Sequence, residues 1–587
     1  MDRMCGKGII DPKMNEYVQE NADFLERALR HDKDKEFSFF GLRSLFDKYL
    51  LKDRNGIMVE RPQHMLMREA IAVSQYSEDP EKRRNAVLKT YEMLSERRYT
   101  HATPTLFNAC TTTPQLSSCF LVVPKGGKNQ TTGFLQTLAD VSEITSNTGG
   151  VGIAVQDYPA MGSYMKETNS QSKGLIPLLK MTDCFVAATK QDSGNRRQTA
   201  VAVYNELWHP DIINFLKMRR PGTDETDMAK DLFFGLWVND LFMERLVENG
   251  TWTLMCPKRC PGLSDLYGEE FKKKYEEYER TMPDLPKIQC KKLWSEIIVA
   301  QIETGLPFMC FKDAVNYKSN QKHIGTIKCS NLCTEIMEYS SSDETAVCNL
   351  ASVAVNMYVD KETRTFDFGK MTGDVRIVTK NLDNVIDRTR YPTEEARRSN
   401  LRHRPVGIGI QGLADAFMLM GMVYCDPESM ILNRRIAKHI YYAAVEASCD
   451  LAKERGTYPA FEGSPACQGL LQFDLWREEQ ERKTARGFTT KFRPIVTELD
   501  WDMLKRDKLL KHGMRNSYVV APMPTASTAQ ILGNNESFEP FTSNLYTRNV
   551  TNGMFKVVNK HLFRHLFENN MWSPGWGDLL LDTHGSV

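Results

Sequence analysis

The run Leu232-Phe233-Phe234-Gly235-Leu236-Trp237-Val238 reads as a strand: short, apolar throughout and rich in aromatic residues. Runs of the same kind occupy residues 117–123, 151–155 and 200–204, bounded by Gly, Pro, Thr and Asn. Helical patterns fall at residues 269–280, 293–304 and 435–455. Strands that alternate with helices predict an α/β fold with a mainly parallel sheet, and one large barrel is its natural architecture. Before residue 99 the pattern differs. Phe24, Leu25, Ala28 and Leu29, then Met65, Leu66, Met67 and Ile71, recur near helical spacing among charged residues. The expected division is a helical region over residues 1–98 and an α/β region over 99–587.

Composition bounds the function. A chain of 587 residues buries a large core, and 76 basic against 75 acidic residues leaves a net charge of +1. No global field draws it to nucleic acid or to an anionic membrane. Hydrophobic residues at 41% and charged residues at 26% place it among ordinary globular chains rather than disordered ones. Fourteen cysteines at irregular spacing do not make a disulfide scaffold, so a reducing, cytoplasmic setting is expected. The start carries no apolar leader, and the most apolar later stretch, residues 406–424, is broken by Gln411 and Asp415. The charged run at residues 477–486 is expected to be a solvated surface loop, and no closing helix or strand is evident after Trp576.

Three segments can carry chemistry. In Cys329-Ser330-Asn331-Leu332-Cys333-Thr334-Glu335, an extended backbone would put Asn331, Cys333 and Glu335 on one face, whereas a helix would separate them. An amide, a thiol and a carboxylate would then converge; the competing reading is a buried structural cysteine. Cys348 in Ala346-Val347-Cys348-Asn349-Leu350-Ala351-Ser352 and Cys119 in Pro114-Gln115-Leu116-Ser117-Ser118-Cys119-Phe120 lie in strand-like runs. A fold that paired those runs would make a reversible dithiol. The segment Pro522-Met523-Pro524-Thr525-Ala526-Ser527-Thr528 reads as strand, tight turn and helix start, which suits either an anion pocket or an ordinary helix cap. Two further motifs are set aside. Gly407-Ile408-Gly409-Ile410-Gln411-Gly412 fits a dinucleotide fingerprint but follows no sizeable strand, and Cys256 with Cys260 lacks a second ligand pair for zinc.

Taken together, these segments resemble the large subunit of class I ribonucleotide reductases of the eukaryotic and viral type. So do ERPQHMLMR from Glu60, HATPTLFNA from His101, HRPVGIGIQGLADAF from His403 and PMPTASTAQILGNNE from Pro522. The resemblance implies a ten-stranded α/β barrel with a catalytic finger loop, preceded by a helical region, and reduction of ribonucleoside diphosphates to deoxyribonucleotides. It implies Cys333 as the transient thiyl radical, Glu335 as the base at the 3′-hydroxyl, Asn331 as a ribose ligand, and Cys119 with Cys348 as the reducing dithiol. Thr103, Ser118, Gly150, Pro524, Thr525, Ala526, Ser527 and Thr528 would line the substrate pocket, while Lys128, Asp192 and Arg197 would face an effector nucleotide such as ATP or a dNTP. The implied partners are a small subunit with a metal-radical centre, a thioredoxin- or glutaredoxin-type reductant and a second copy of the chain. No metal is expected in the chain itself.

Departures from the family pattern carry their own expectations. The ATP-binding cone has no counterpart before the first motif, so inhibition by dATP is expected to be weak. Pro159, the stretch Lys125-Gly126-Gly127-Lys128-Asn129 and residues 191–199 depart from the usual effector loops. No Cys follows Cys467 and no paired tyrosine follows Tyr546, which puts the closure of the barrel and its radical path in question. The alternative reading is a reductase-like chain that binds nucleotides or reductase subunits without turnover.

Overall fold

The computed structural model describes residues 2–6, 8–74, 77–125, 130–166, 169–190, 197–485, 487, 498–550 and 553–587. Its strands are β1 (Tyr99–His101), β2 (Cys119–Val122), β3 (Gly150–Ala154), β4 (Val201–Glu206), β5 (Leu232–Val238), β6 (Phe308–Phe311), β7 (Ala346–Cys348), β8 (Leu350–Ala354) and β9 (Gly407–Gln411), besides four two-stranded sheets among the described residues. All four runs named from sequence are strands. In the larger sheet the order is β6-β5-β4-β3-β2-β7, parallel except where β7 runs against β2. A smaller sheet has β8 at its centre, antiparallel to β1 and parallel to β9.

The two sheets are joined through one broken strand. Only Asn349 separates β7 from β8, and its side chain pins the junction. Asn349 Nδ2 donates to Asn400 Oδ1 at 3.0 Å and to the Pro405 carbonyl at 2.9 Å, while Oδ1 accepts from Ser117 Oγ at 2.8 Å. This curled α/β architecture is the barrel type expected, with nine strands in its two main sheets among the described residues rather than ten.

Alternation along the strands sorts side chains between two cores. Phe120, Val122, Val151, Ile153, Val201, Val203, Phe234, Leu236 and Val238 face outward against covering helices such as Gln130–Ser146, Leu175–Lys190 and Cys290–Thr304. Cys119, Leu121, Ala154, Ala202, Tyr204 and Trp237 face inward, where they meet Ile327, Cys329, Ile336, Ala521 and Met523. A parallel sheet covered on both faces needs apolar residues on both, which is why residues 232–238 lack polar alternation.

Small inward residues on β3 make room for the chain that fills the interior. A Cβ at Gly152 would stand 1.8 Å from the Ser330 carbonyl oxygen. The residues 407–412 set aside above form β9 itself, followed by the helix Leu413–Met420. Its glycines have a packing reason: a Cβ at Gly409 would lie 2.9 Å from the Ala521 carbonyl oxygen, and Ile408 bridges Val520 in parallel.

The helical lead region is present, with Pro62–Ser74 and Pro80–Ser95 as its longest members. The second begins as its sequence dictates, with Asp79 accepting from two backbone N–H groups and Pro80 in the first turn. Two expectations are corrected. Residues 477–485 are not a loop but belong to the helix Gln472–Ala485, where the Glu479–Lys483 pair spans one turn at 3.1 Å. Arg486 lies outside the described residues. The end of the chain is also ordered, as the hairpin Leu545–Val550 with Gly553–Val558 and the helices Lys560–Glu568 and Gly575–Asp582. Asn559 caps the first of these helices, and buried Asp415 holds His561 at 2.7 Å and Lys560 at 3.0 Å. Among the described residues no helix is long and apolar enough to cross a membrane.

Candidate active site

Between the helix Lys312–Tyr317 and β7, residues 318–345 enter the space inside the sheets as a long finger without regular structure. Its tip is not extended, which corrects the alternation argument. Leu332 and Cys333 lie in a turn and Thr334 takes a left-handed φ of 71°. The turn closes through local polar bonds: Ile336 N donates to Asn331 Oδ1 at 3.1 Å, and Ser330 Oγ donates to the Ile336 carbonyl at 2.7 Å. Tyr204, inward on β4, holds the turn from below. Its hydroxyl donates to the Asn331 carbonyl at 2.5 Å and meets Thr334 Oγ1 at 3.1 Å.

Asn331, Cys333 and Glu335 are therefore gathered by a turn rather than by pleating. Asn331 is fully buried, and its Nδ2 donates to Cys119 Sγ at 3.3 Å. Cys333 sits at the tip and is exposed, with protein packed around its thiol. That surrounding protein pushes its thiol up to about 12, helped by the nearby Glu335 carboxylate and only partly offset by Arg197. The Glu335 carboxyl is raised as well, first by burial, with the Asn331 amide and Arg197 acting against it. Its Oε2 has no hydrogen-bond partner among the described residues.

The two other cysteines meet across the sheet. Cys348 on β7 and Cys119 on β2 are direct Cα partners in the antiparallel register. Such partners stand about 4.5–5.5 Å apart, inside the range a disulfide spans. Both are free thiols, and burial together with a hydrogen bond to Cys119 raises Cys348 well above the ordinary thiol value. Sequence left open whether the two runs pair; the register brings Cys119 and Cys348 face to face.

The segment over residues 522–528 lies along β9 and turns at Thr525, whose φ is 43°, into the short helix Thr528–Leu532. Ser527 Oγ lies 3.4 Å from Thr103 Oγ1, and Tyr49, which sequence reasoning missed, bonds both: its hydroxyl donates to Ser527 Oγ at 2.9 Å and meets Thr103 Oγ1 at 3.1 Å. Ser118, just before β2, carries a buried Oγ with no partner among the described residues. Gly150 opens β3 beneath Arg197, whose Nη2 would lie 3.7 Å from a Cβ there. Pro524 and Ala526 complete the same turn. Arg197 donates to the Thr148 carbonyl at 3.0 Å, and its charge acts on Cys333, Glu335 and Tyr49. Lys128 and Asp192 lie outside the described residues. No signal in the sequence marks Tyr49, whose partners are 54 and 478 residues away.

The chain matches two family models: the all-alpha domain of ribonucleotide reductase over residues 35–114 and its barrel domain over residues 117–584. It is 46% identical over 584 residues to a ribonucleoside-diphosphate reductase large chain of Cryptosporidium parvum, covering 99% of this chain and 70% of that one. A large subunit from Danio rerio is 46% identical over 99% of this chain and 70% of its own length. One from Trypanosoma brucei brucei is 47% identical over 99% and 68%.

Proposed function

We propose, from the premise that the chain belongs to the ribonucleotide reductase large-subunit family, that its finger and sheet cysteines reduce the ribose of a ribonucleoside diphosphate. The observation that carries the proposal is the contact set Cys119–Cys348–Asn331, which places a paired dithiol directly against the turn bearing Cys333. In this reading Cys333 gives up its thiol hydrogen atom to a radical supplied by a separate small subunit with a metal-radical centre, and then takes the 3′-hydrogen of the substrate. A thiol held up to about 12 stays protonated for that role. Glu335 accepts the 3′-hydroxyl proton, for which a partner-free Oε2 suits it. The 2′-hydroxyl leaves as water, and Cys119 and Cys348 supply two electrons and end as a disulfide. The 3′-hydrogen then returns to carbon and leaves Cys333 a radical again.

The diphosphate would rest on residues 524–528 with Thr103 and Ser118. The orphaned Ser118 hydroxyl supports this, since a buried polar group without a partner is costly unless a ligand satisfies it. Arg197 would act at the border of substrate and effector, with Lys128 and Asp192 beyond it. The reading divides the chain into a supporting helical region, residues 1–98, and a catalytic region, residues 99–587. It includes a cytoplasmic setting, a homodimer, and a thioredoxin- or glutaredoxin-type reductant.

The test is formation of dCDP from CDP by the chain with its cognate small subunit and excess dithiothreitol. Turnover is expected from the wild type and none from Cys333→Ser. Product at the wild-type rate from that variant would refute the assignment.

A further inference from the structure

Along the finger, walled by its residues 318–320 and 335–338 together with 517–521, lies a cavity of about 340 Å³. Its wall includes Glu335, Glu338, Cys348 and Tyr518, and it runs outward to Lys318 and the half-exposed ring of Trp476. Cys348 therefore shows one side to this cavity, while its partner Cys119 does not line it. Glu338 is the group without an assigned task. It is only 6% exposed, it belongs to no ion pair among the described residues, and the mechanism above does not use it.

We propose that Glu338 is the proton donor for re-reduction of the Cys119–Cys348 disulfide by a small dithiol arriving through this cavity. The inference rests on the reading of those cysteines as a redox pair. The dithiol enters as a monothiolate, having left its first proton in solvent. It attacks Cys348 Sγ, the sulfur the cavity exposes; a new S–S bond forms there and the Cys119–Cys348 bond breaks. Cys119 leaves as a thiolate and takes the Glu338 proton. The Glu338 carboxylate then removes the proton of the reductant's second thiol, which closes on its own sulfur and releases Cys348 as a thiolate that is protonated from solvent. Two electrons pass from the dithiol to the protein, and Glu338 ends protonated as it began.

The surroundings fit a carboxyl that keeps its proton. Burial raises it well above the carboxylate range, and a charge on Cys119 raises it further. The groups facing it are Cys119 on β2, Cys348 on β7, Glu335 on its own segment and Tyr518 on the segment along β9. Lys318 at the rim is engaged by Glu479 at 3.1 Å. No cation is among the charges acting on Cys348 or Glu338 in the described residues, so a thiolate formed at Cys119 has the Asn331 amide at 3.3 Å and the Glu338 proton to stabilise it.

The experiment uses the full chain oxidised to the Cys119–Cys348 disulfide. Its reduction by dithiothreitol is followed by alkylation and mass spectrometry across neutral and alkaline pH, for wild type, Glu338→Gln, Glu338→Asp and Glu335→Gln. Glu338→Gln should slow reduction roughly a hundredfold near neutrality, the usual scale for a placed acid. The gap should narrow at higher pH as the wild type loses the same proton, and Glu338→Asp should keep part of the rate. Equal rates for wild type and Glu338→Gln would overturn the proposal, as would an equal loss in Glu335→Gln or a gap that pH does not change. Should Glu338→Gln fail to fold, Glu338→Asp decides by the same pH profile. A wild-type chain that never forms the disulfide would sink the redox-pair reading itself, whereas normal reduction of Glu338→Gln sinks only the role of Glu338.

Discussion

Cys333 combines an exposed position with a thiol pushed up to about 12. At pH 8 that leaves about one thiolate in ten thousand, against roughly a quarter for an ordinary cysteine. Reactivity toward alkylating agents follows the thiolate. Iodoacetamide should therefore modify Cys333 at least about a hundredfold more slowly than it modifies free N-acetylcysteine at pH 8. The rate should climb steadily to high pH, without the plateau of an ordinary thiol. Peptide mapping after timed alkylation measures this, and a Cys333 rate matching the free thiol would contradict the protonated state on which the proposed hydrogen-atom transfer depends. A similar economy governs Glu335, whose neighbours Asn331 and Arg197 only partly counter its burial.

At the scale of elements, the finger is seated by what β3 lacks. Gly152→Ala would drive a methyl group to 1.8 Å from the Ser330 carbonyl, so the finger must move. A displacement of about 1 Å at reacting groups can cost roughly a hundredfold in rate. The variant is expected to lose dCDP formation on that scale while keeping nucleotide affinity within a few fold. Separate measurement of kcat and of CDP binding distinguishes this from general unfolding. The cradle gives the opposite signature. Tyr49 reaches from the helical region to orient Thr103 and Ser527, so Tyr49→Phe removes about 1 kcal/mol of hydrogen bonding from hydroxyls proposed to hold the diphosphate. KM for CDP should rise roughly fivefold with kcat nearly unchanged. A fall in kcat at constant KM would place Tyr49 outside the cradle's support.

For the whole molecule, the junction of the helical region with the sheets depends on buried charge. Arg68 and Glu60 are each 1% exposed and paired at 2.9 Å, and Arg68 also donates to the carbonyls of Leu106 and Ala109 in the segment that follows β1. Removing one partner strands the other charge in a medium that cannot solvate it, at a cost of about 3–5 kcal/mol. Glu60→Gln should lower the urea midpoint accordingly. A destabilisation below about 1 kcal/mol, taken as the midpoint shift times the urea slope, would mean that water reaches Arg68. The second tie is Asn349, which holds the broken strand where it passes from one sheet to the other.

Much of this molecule is written in local pattern. The apolar runs at residues 117–123, 151–155, 200–204 and 232–238 became β2 to β5, because a strand buried on both faces has no choice but to be apolar. The helical lead region followed from its periodicity, and the family from the order of its motifs. The charged run after residue 476 misled because i to i+4 ion pairs support a helix as readily as solvent supports a loop. The residue types of the site, Asn331, Cys333 and Glu335, could also be chosen from sequence, yet the geometry that unites them could not. A left-handed Thr334 and a tyrosine from β4 make the turn, and neither leaves a periodic trace. The pairing of Cys119 with Cys348, the reach of Tyr49 to Ser527 and the burial of Glu338, on the finger, beside Cys348 are contacts between distant segments. Sequence determined the main strands and the helical lead region and named the residue types of the proposed site, since those depend on neighbours along the chain. Only the tertiary structure decided which thiol meets which, because strand register and the path of the finger are fixed by packing across the interior.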